Sequence, residues 1–161
     1  MFLTREKIEP QIASLPTVAR NDGRGVIARR AEADEAISGA SILFFGMVRN
    51  HSDGRKVQYL EYEAYEEMAE RMIEETIQKA YLRWPVTGVR ILHRLGRIEL
   101  GEMAVAIQVC AGHRDEAYRA SRFLIESIKH KVPIWKKEIF EDGTSEWSLC
   151  NHPPVKQEMG C

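Results

Sequence analysis

The sequence predicts an α+β fold, an antiparallel-rich sheet packed with two main helices. Three observations carry that expectation. Two long stretches, 66–83 and 115–131, repeat apolar residues at helical spacing. The β-rich stretches around them are short and separated by glycine- and aspartate-containing turns, as in hairpins. No strand-helix-strand unit repeats, so the pattern is not that of a doubly wound parallel sheet. A chain of 161 residues with 44% hydrophobic content fills one ordinary core and not two. Residues 1–150 are therefore expected to form a single domain, followed over 151–161 by a flexible tail containing Pro153 and Pro154.

Residues 1–36 have weak periodicity; 21–25 reads as a turn, and 26–30 as a short strand or a helix start. An apolar run over 41–48, with Gly39 behind it and the polar stretch 49–56 ahead, reads as a strand entering a loop. Residues 57–65 alternate, with Val57, Tyr59, Glu61 and Glu63 on one face and Leu60, Tyr62 and Ala64 on the other. That is a strand with one buried side, expected to pair with the strand before it. The helix over 66–83 places Met68, Met72, Ile73, Thr76, Ile77, Ala80 and Tyr81 at helical spacing and stops ahead of Pro85.

Two β-rich runs follow, 88–95 and 104–110, separated by Gly96 and Gly101, which permit tight reversals. The second helix carries a stripe of Ala117, Ser121, Leu124 and Ile128 and must end before Pro133, because proline disfavours helical geometry in its predecessor. A strand over 133–140 comes next, and Asp142-Gly143 supplies a hairpin turn towards Trp147.

Composition excludes several function classes. Twenty-three basic against 24 acidic side chains leave a formal net charge of −1, so no global field recruits nucleic acid or an anionic membrane. No stretch approaches the roughly 20 apolar residues of a membrane span, and the N-terminal MFLTREKIEP lacks the apolar core of a secretory signal. Cys110, Cys150 and Cys161 are odd in number and scattered, which fits neither a disulfide framework nor a paired metal or redox motif. A cytoplasmic protein is expected. The five histidines show no metal-ligand spacing, so neither metal nor cofactor is expected.

Any anion site must then be local, and KHKVPIWKK at 129–137 is the place for one: four lysines and a histidine without an acid. For Lys131 and Lys137 the simple reading is a solvated complement to the helix dipole. Lys129 and Lys136 are favoured for function, because a turn at Pro133 lets their ammonium groups converge, where they can hold a carboxylate or thiocarboxylate and manage protons. His113-Arg114, just before the second helix, is a second candidate: Arg114 offers a planar fork to phosphate beside unpaired helix amides. The alternative there is a capping histidine and a surface charge. Arg49, where a strand opens into a loop, is a third, and taken singly reads as a solvated charge. Cys110 reads as a buried hydrophobe rather than a thiolate nucleophile, and His93 and Arg94 as structural or interfacial residues.

Four ordered blocks resemble the molybdopterin synthase large-subunit family. They are Gly39-Ala40 with Phe45-Gly46-Met47-Val48-Arg49-Asn50; Leu60-Glu61-Tyr62-Glu63 leading to His93-Arg94, Gly96, Gly101 and Glu102; His113-Arg114; and Lys129 with Pro133-Ile134-Trp135-Lys136-Lys137-Glu138 and Trp147. The likeness covers about 39–149. It implies a fold with a hammerhead-like element and conversion of cyclic pyranopterin monophosphate to molybdopterin, with sulfur delivered as a thiocarboxylate on the C-terminal diglycine of a small ubiquitin-like subunit. It also implies a central homodimer of large subunits within a heterotetramer. On the family's pattern Lys129 and Lys136 are catalytic, Arg49, His113 and Arg114 hold phosphate and pterin, and Met47, Val48, Lys137 and Glu138 line the site.

Two departures stand out. Residues up to about 37 do not align with the family, and Asn151 and His152 stand where relatives often carry an arginine. Two other classes of reading remain open: a small nucleic-acid-binding module using KHKVPIWKK with Trp135 for stacking, and a non-catalytic scaffold that only binds the carrier.

Overall fold

A computed structural model of the chain describes residues 3–5 and 38–148. The readings of 21–30 and of the tail beyond 150 lie outside those residues. Chain order is β1 (Leu3–Thr4), β2 (Ala40–Met47), β3 (His51–Ser52), β4 (Arg55–Ala64), α1 (Glu66–Arg83), β5 (Val86–Arg94), β6 (Gly96–Glu99), β7 (Met103–Ala111), α2 (Arg114–Lys131), β8 (Ile134–Phe140) and β9 (Ser145–Ser148).

The strands divide into two sheets. In the first, β7 lies between β2 and β5, both antiparallel to it, and β1 adds a parallel edge beside β5. In the second, β4 is flanked by β8 on one side and β6 on the other, with β3 and β9 extending the edges. The α+β class is as expected. The pairing of β4 is not: it was expected beside β2, yet β2 pairs with β7 and β4 with β3, β6 and β8. The physical reason lies in the chain between β2 and β4. The polar stretch after β2 holds its own hairpin, β3 to β4 through Asp53-Gly54, and both turn residues have positive φ (47° and 79°). A tight turn of this kind twists the strands as they reverse, and here β4 leaves in the other sheet.

Both helices cover one face of the first sheet. Ala69, Ile73, Ile77 and Ala80 of α1 and Ala117, Ala120, Leu124 and Ile128 of α2 close over Val89, Ile91, Val105, Ile107 and Val109. Burying each Ile or Leu there stabilises the fold by about 1.5–3 kcal/mol relative to leaving it exposed. The expected stripes are buried or, at Met72 and Tyr81, partly buried, except at Met68, which is exposed, its place on the core face taken by Ala69. Each helix stops where the following proline dictates: Trp84 before Pro85 and Val132 before Pro133 both have extended backbones.

A smaller core sits between the sheets, formed by Val48, Val57, Leu60, Ile98, Ala104 and Phe140. Strict alternation would put Val57 and Leu60 on opposite faces, as the sequence reading did. A bulge between Val57 and Tyr59, where β4 advances two residues while β8 advances one, turns both inwards. The expected Asp142-Gly143 reversal joins β8 to β9, with Gly143 at φ 80°.

Candidate functional site

The two sheets, the last turn of α2 and the start of β8 enclose a cavity of about 140 Å³. Its wall includes Met47 and Arg49 from the end of β2, Lys129 from α2, and Lys136 and Glu138 from β8. Five of the nine expected site residues are thus brought together. The local cause of the lysine convergence is the proline turn: α2 ends, Val132 extends, and Pro133 passes its carbonyl to the Tyr65 amide at 3.2 Å, which locks β8 beside β4. Lys136 and Glu138, two apart on one strand, then face the same side.

The other four lie elsewhere. Val48 is buried in the smaller core, and its backbone amide and carbonyl tie to Glu102 and Gly101 (3.0 and 2.9 Å). Lys137 is not in the cavity wall, and its Nζ rests 5.5 Å from the centroid of the exposed Trp147 ring. His113 and Arg114 are exposed at the start of α2. His113 occupies the N-cap with no side-chain capping bond, so the capping alternative finds no hydrogen bond to support it. Arg114 and Lys129 are fifteen residues apart on one straight element, about 22 Å at the helical rise of ~1.5 Å per residue.

Charge in the cavity is unbalanced: Arg49, Lys129 and Lys136 oppose one carboxylate, Glu138. The two lysines differ in their company. Lys136 Nζ donates to Glu138 Oε1 at 2.7 Å, and both side chains are largely buried. Burial pushes the Glu138 carboxyl up, but hydrogen bonds from Lys136 and Ser52 and the charges of Lys136 and Arg49 hold it below the usual carboxylate range. Lys129 has no hydrogen-bonded or ionic partner among the described residues and is exposed at the mouth. A cavity with this excess of cations attracts an anionic end group, and its volume, below the ~300–1,000 Å³ that encloses a drug-sized ligand, suits the reacting end of something larger.

Sequence reasoning passed over the three further lining residues with polar side chains, His51, Tyr62 and His93. His93 was read as structural or interfacial. It is 6% exposed, its ring meets Tyr62 edge-on at 5.1 Å, and Nδ1 lies 2.9 Å from the Arg94 carbonyl. A carbonyl only accepts, so Nδ1 carries the proton. Burial pushes the His93 pKa down to about 4, the Arg94 carbonyl opposing this and the Lys129 charge adding to it. No local signal marks such a residue, since a histidine in an apolar strand is usually core. Cys110 is buried, with its Sγ 3.5 Å from Ser41 Oγ, and takes no part in the cavity.

The family model described as "MoaE protein" matches residues 23–131, so the likeness extends into the segment up to about 37 that was expected not to align. The chain belongs to the MoaE family. A curated relative from Nostoc sp., named molybdopterin synthase catalytic subunit, is 44% identical over 118 residues, 73% of this chain and 72% of the relative. The crystal structure of molybdopterin synthase from Staphylococcus aureus superposes with a TM-score of 0.72 at 36% identity, covering 91% of this chain and 94% of that one. A complex of subunits 1 and 2 of the molybdopterin-converting factor from Helicobacter pylori superposes with a TM-score of 0.60 at 26% identity, over 73% of this chain and 76% of that one. Relatives of the MoaE family are thus enzymes of molybdopterin formation, and at least one is known in a two-subunit complex.

Proposed function

We propose that this chain is the catalytic subunit of a molybdopterin synthase, transferring sulfur from the thiocarboxylate of a small ubiquitin-like carrier to cyclic pyranopterin monophosphate in molybdenum cofactor biosynthesis. The observation that carries the reading is the convergence of Lys129 and Lys136 in one cation-rich cavity. The carrier's diglycine tail enters it, and Lys129 and Lys136 face the thiocarboxylate. The thiocarboxylate sulfur displaces an oxygen substituent at a carbon of the precursor, leaving carrier and product joined as a thioester, while the lysines stabilise the developing negative charge and protonate the departing oxygen. Water then cleaves the acyl–sulfur bond, leaving the sulfur on the product and the spent carrier as a carboxylate. Two rounds complete the dithiolene. No cysteine of this chain is needed.

Met47, Arg49 and Glu138 shape the cavity, Glu138 by fixing Lys136. Val48 and Lys137 support it from behind, through the backbone ties of Val48 and the strand position of Lys137. His113 and Arg114, about 22 Å from Lys129 along α2, serve as phosphate contacts from a second copy of the chain, in a dimer of catalytic subunits at the centre of a heterotetramer. The working unit is the single domain over 1–150, acting in the cytoplasm.

The nucleic-acid reading loses its patch: of the lysines in KHKVPIWKK, Lys129 and Lys136 turn into the cavity while Lys137 does not. Incubating the chain with a thiocarboxylated carrier and the pyranopterin precursor tests the proposal. Molybdopterin is the expected product, and its absence from a folded, carrier-bound sample would leave only the scaffold reading.

A further inference from the structure

We propose that Arg94 and Glu102 are positioning residues of the cavity: their ion pair knits the turn over 99–102, and that turn holds the backbone from which Arg49 reaches the cavity wall. The bearing of the pair on turnover rests on the cavity being the site of sulfur transfer. Strand β2 delivers Arg49, but its ladder stops short of it. The register with β7 slips between Gly46 and Met47, where β7 advances two residues against one, and the pairing ends at Met47. Two backbone bonds take over beyond that point. The Val48 amide donates to the Glu102 carbonyl at 3.0 Å, and the Gly101 amide donates to the Val48 carbonyl at 2.9 Å. The Val48 side chain is buried in the smaller core, and the next residue, Arg49, lines the cavity. On its other side the Asn50 carbonyl accepts from the Val57 amide at 2.9 Å. Arg49 is thus suspended between two anchored neighbours, and the anchor on Val48 is only as firm as the turn that makes it.

That turn is fixed by one carboxylate oxygen. Glu102 Oε2 accepts from Arg94 Nη1 at 2.7 Å and from the Glu99 amide at 3.3 Å, while Arg94 Nη2 reaches the Arg97 carbonyl at 3.5 Å. The end of β5, the strand β6 and the turn into β7 are thereby joined through a single pair. Its side chains are 9% and 16% exposed. Withdrawing two charges from water costs about as much as their attraction returns, so net stability is a poor account of such a pair. Geometry is a better one. Reach matters here more than charge, because the same oxygen has to serve a guanidinium and a backbone amide at once.

Two measurements test this, and only the second depends on the sulfur-transfer reading. In the first, amide hydrogen exchange of the full chain is followed by NMR in the wild type, Glu102→Gln and Glu102→Asp. Glutamine keeps an oxygen at the reach of Oε2 and gives up the charge; aspartate keeps the charge and falls one methylene short of the two donors. In Glu102→Asp the Val48 and Gly101 amides are expected to exchange about tenfold faster, the worth of one hydrogen bond, while amides of the β5–β7 ladder keep their rates. Glu102→Gln should stay close to wild type at both. Unchanged exchange at Val48 and Gly101 in Glu102→Asp overturns the proposal. Protection lost equally throughout, or a Glu102→Asp chain that does not fold, also overturns it, since the pair would then support the whole fold and not this turn.

The second measures single-turnover sulfur transfer with thiocarboxylated carrier for Glu102→Asp, alone and combined with Arg49→Ala. Because the pair acts through Arg49, Glu102→Asp should slow the wild-type background by about tenfold and the Arg49→Ala background hardly at all. Equal slowing on both backgrounds would contradict it. If the wild type itself makes no product, the synthase reading falls, and exchange at Val48 and Gly101 alone decides whether the pair holds this backbone.

Discussion

The two ends of α2 carry similar chemistry in opposite settings. At its C-terminal end Lys129 looks into a walled cavity with Lys136, Arg49 and Glu138 around it, whereas at its N-terminal end His113 and Arg114 stand exposed. Among the described residues, one end has its complement and the other does not. A rigid 18-residue helix cannot bring them together, so any site using both needs a second chain. The lysine end is thus walled in by the fold, and the His113-Arg114 end is offered outwards.

Several changes would break or sharpen that contrast. The largest effect is expected at the enclosed end. Lys136→Ala removes a cation from the reacting region and leaves Glu138 buried without its partner, so turnover should fall by about 10²–10³-fold, as when one transition-state donor is lost. Stopped-assay rates beside a thermal melt will show whether the loss exceeds that due to unfolding. A rate within a few-fold of wild type in a folded protein would put the chemistry elsewhere.

Acid should act on the same region through His93. Its pKa is 6.5 in the unfolded chain and about 4 when folded, so the unfolded state binds the proton first. Stability is complete above pH 6.5, declines as pH falls towards 4, and by then has lost roughly 3 kcal/mol from this group. Urea melts at pH 7 and pH 4.5 measure this, and His93→Gln should flatten the dependence. A wild-type slope unchanged in that variant would show that the imidazole is not the group responsible.

At the exposed end, Arg114→Ala should weaken precursor binding by about 1.5–3 kcal/mol, the worth of a charge-assisted contact, without lowering the melting temperature. Mixing Arg114→Ala chains with Lys129→Ala chains should restore activity if the ends of two helices meet in one site; a mixture no better than its components argues for a site within one chain. The smallest effect is expected at Lys137→Ala. Its contact with Trp147 is exposed and worth about 0.5–1 kcal/mol, so stability should shift slightly and turnover little.

How much of this was legible in the sequence follows from the range of the forces involved. Both helices could be read because their stripes are local and prolines close them: Pro85 and Pro133 mark ends that the backbone obeys. The bulge at Val57 and the partner of β4 could not, since register is set by which strand lies opposite. The short β3 hairpin did have a signal, Asp53-Gly54, overlooked inside a polar stretch. In the cavity, the lysines stood out as unbalanced charge beside a proline. His93 did not, because its surroundings arise only when β4 brings Tyr62 edge-on to its ring and the two line one cavity.

The most direct test of the central claim is single-turnover conversion of the pyranopterin precursor by wild-type and Lys129→Ala chains, each with thiocarboxylated carrier and matched for carrier binding. The account predicts molybdopterin from the wild type and almost none from Lys129→Ala, with fold and carrier affinity intact. A near-normal rate in Lys129→Ala would remove the cavity lysine from the reaction and contradict the account.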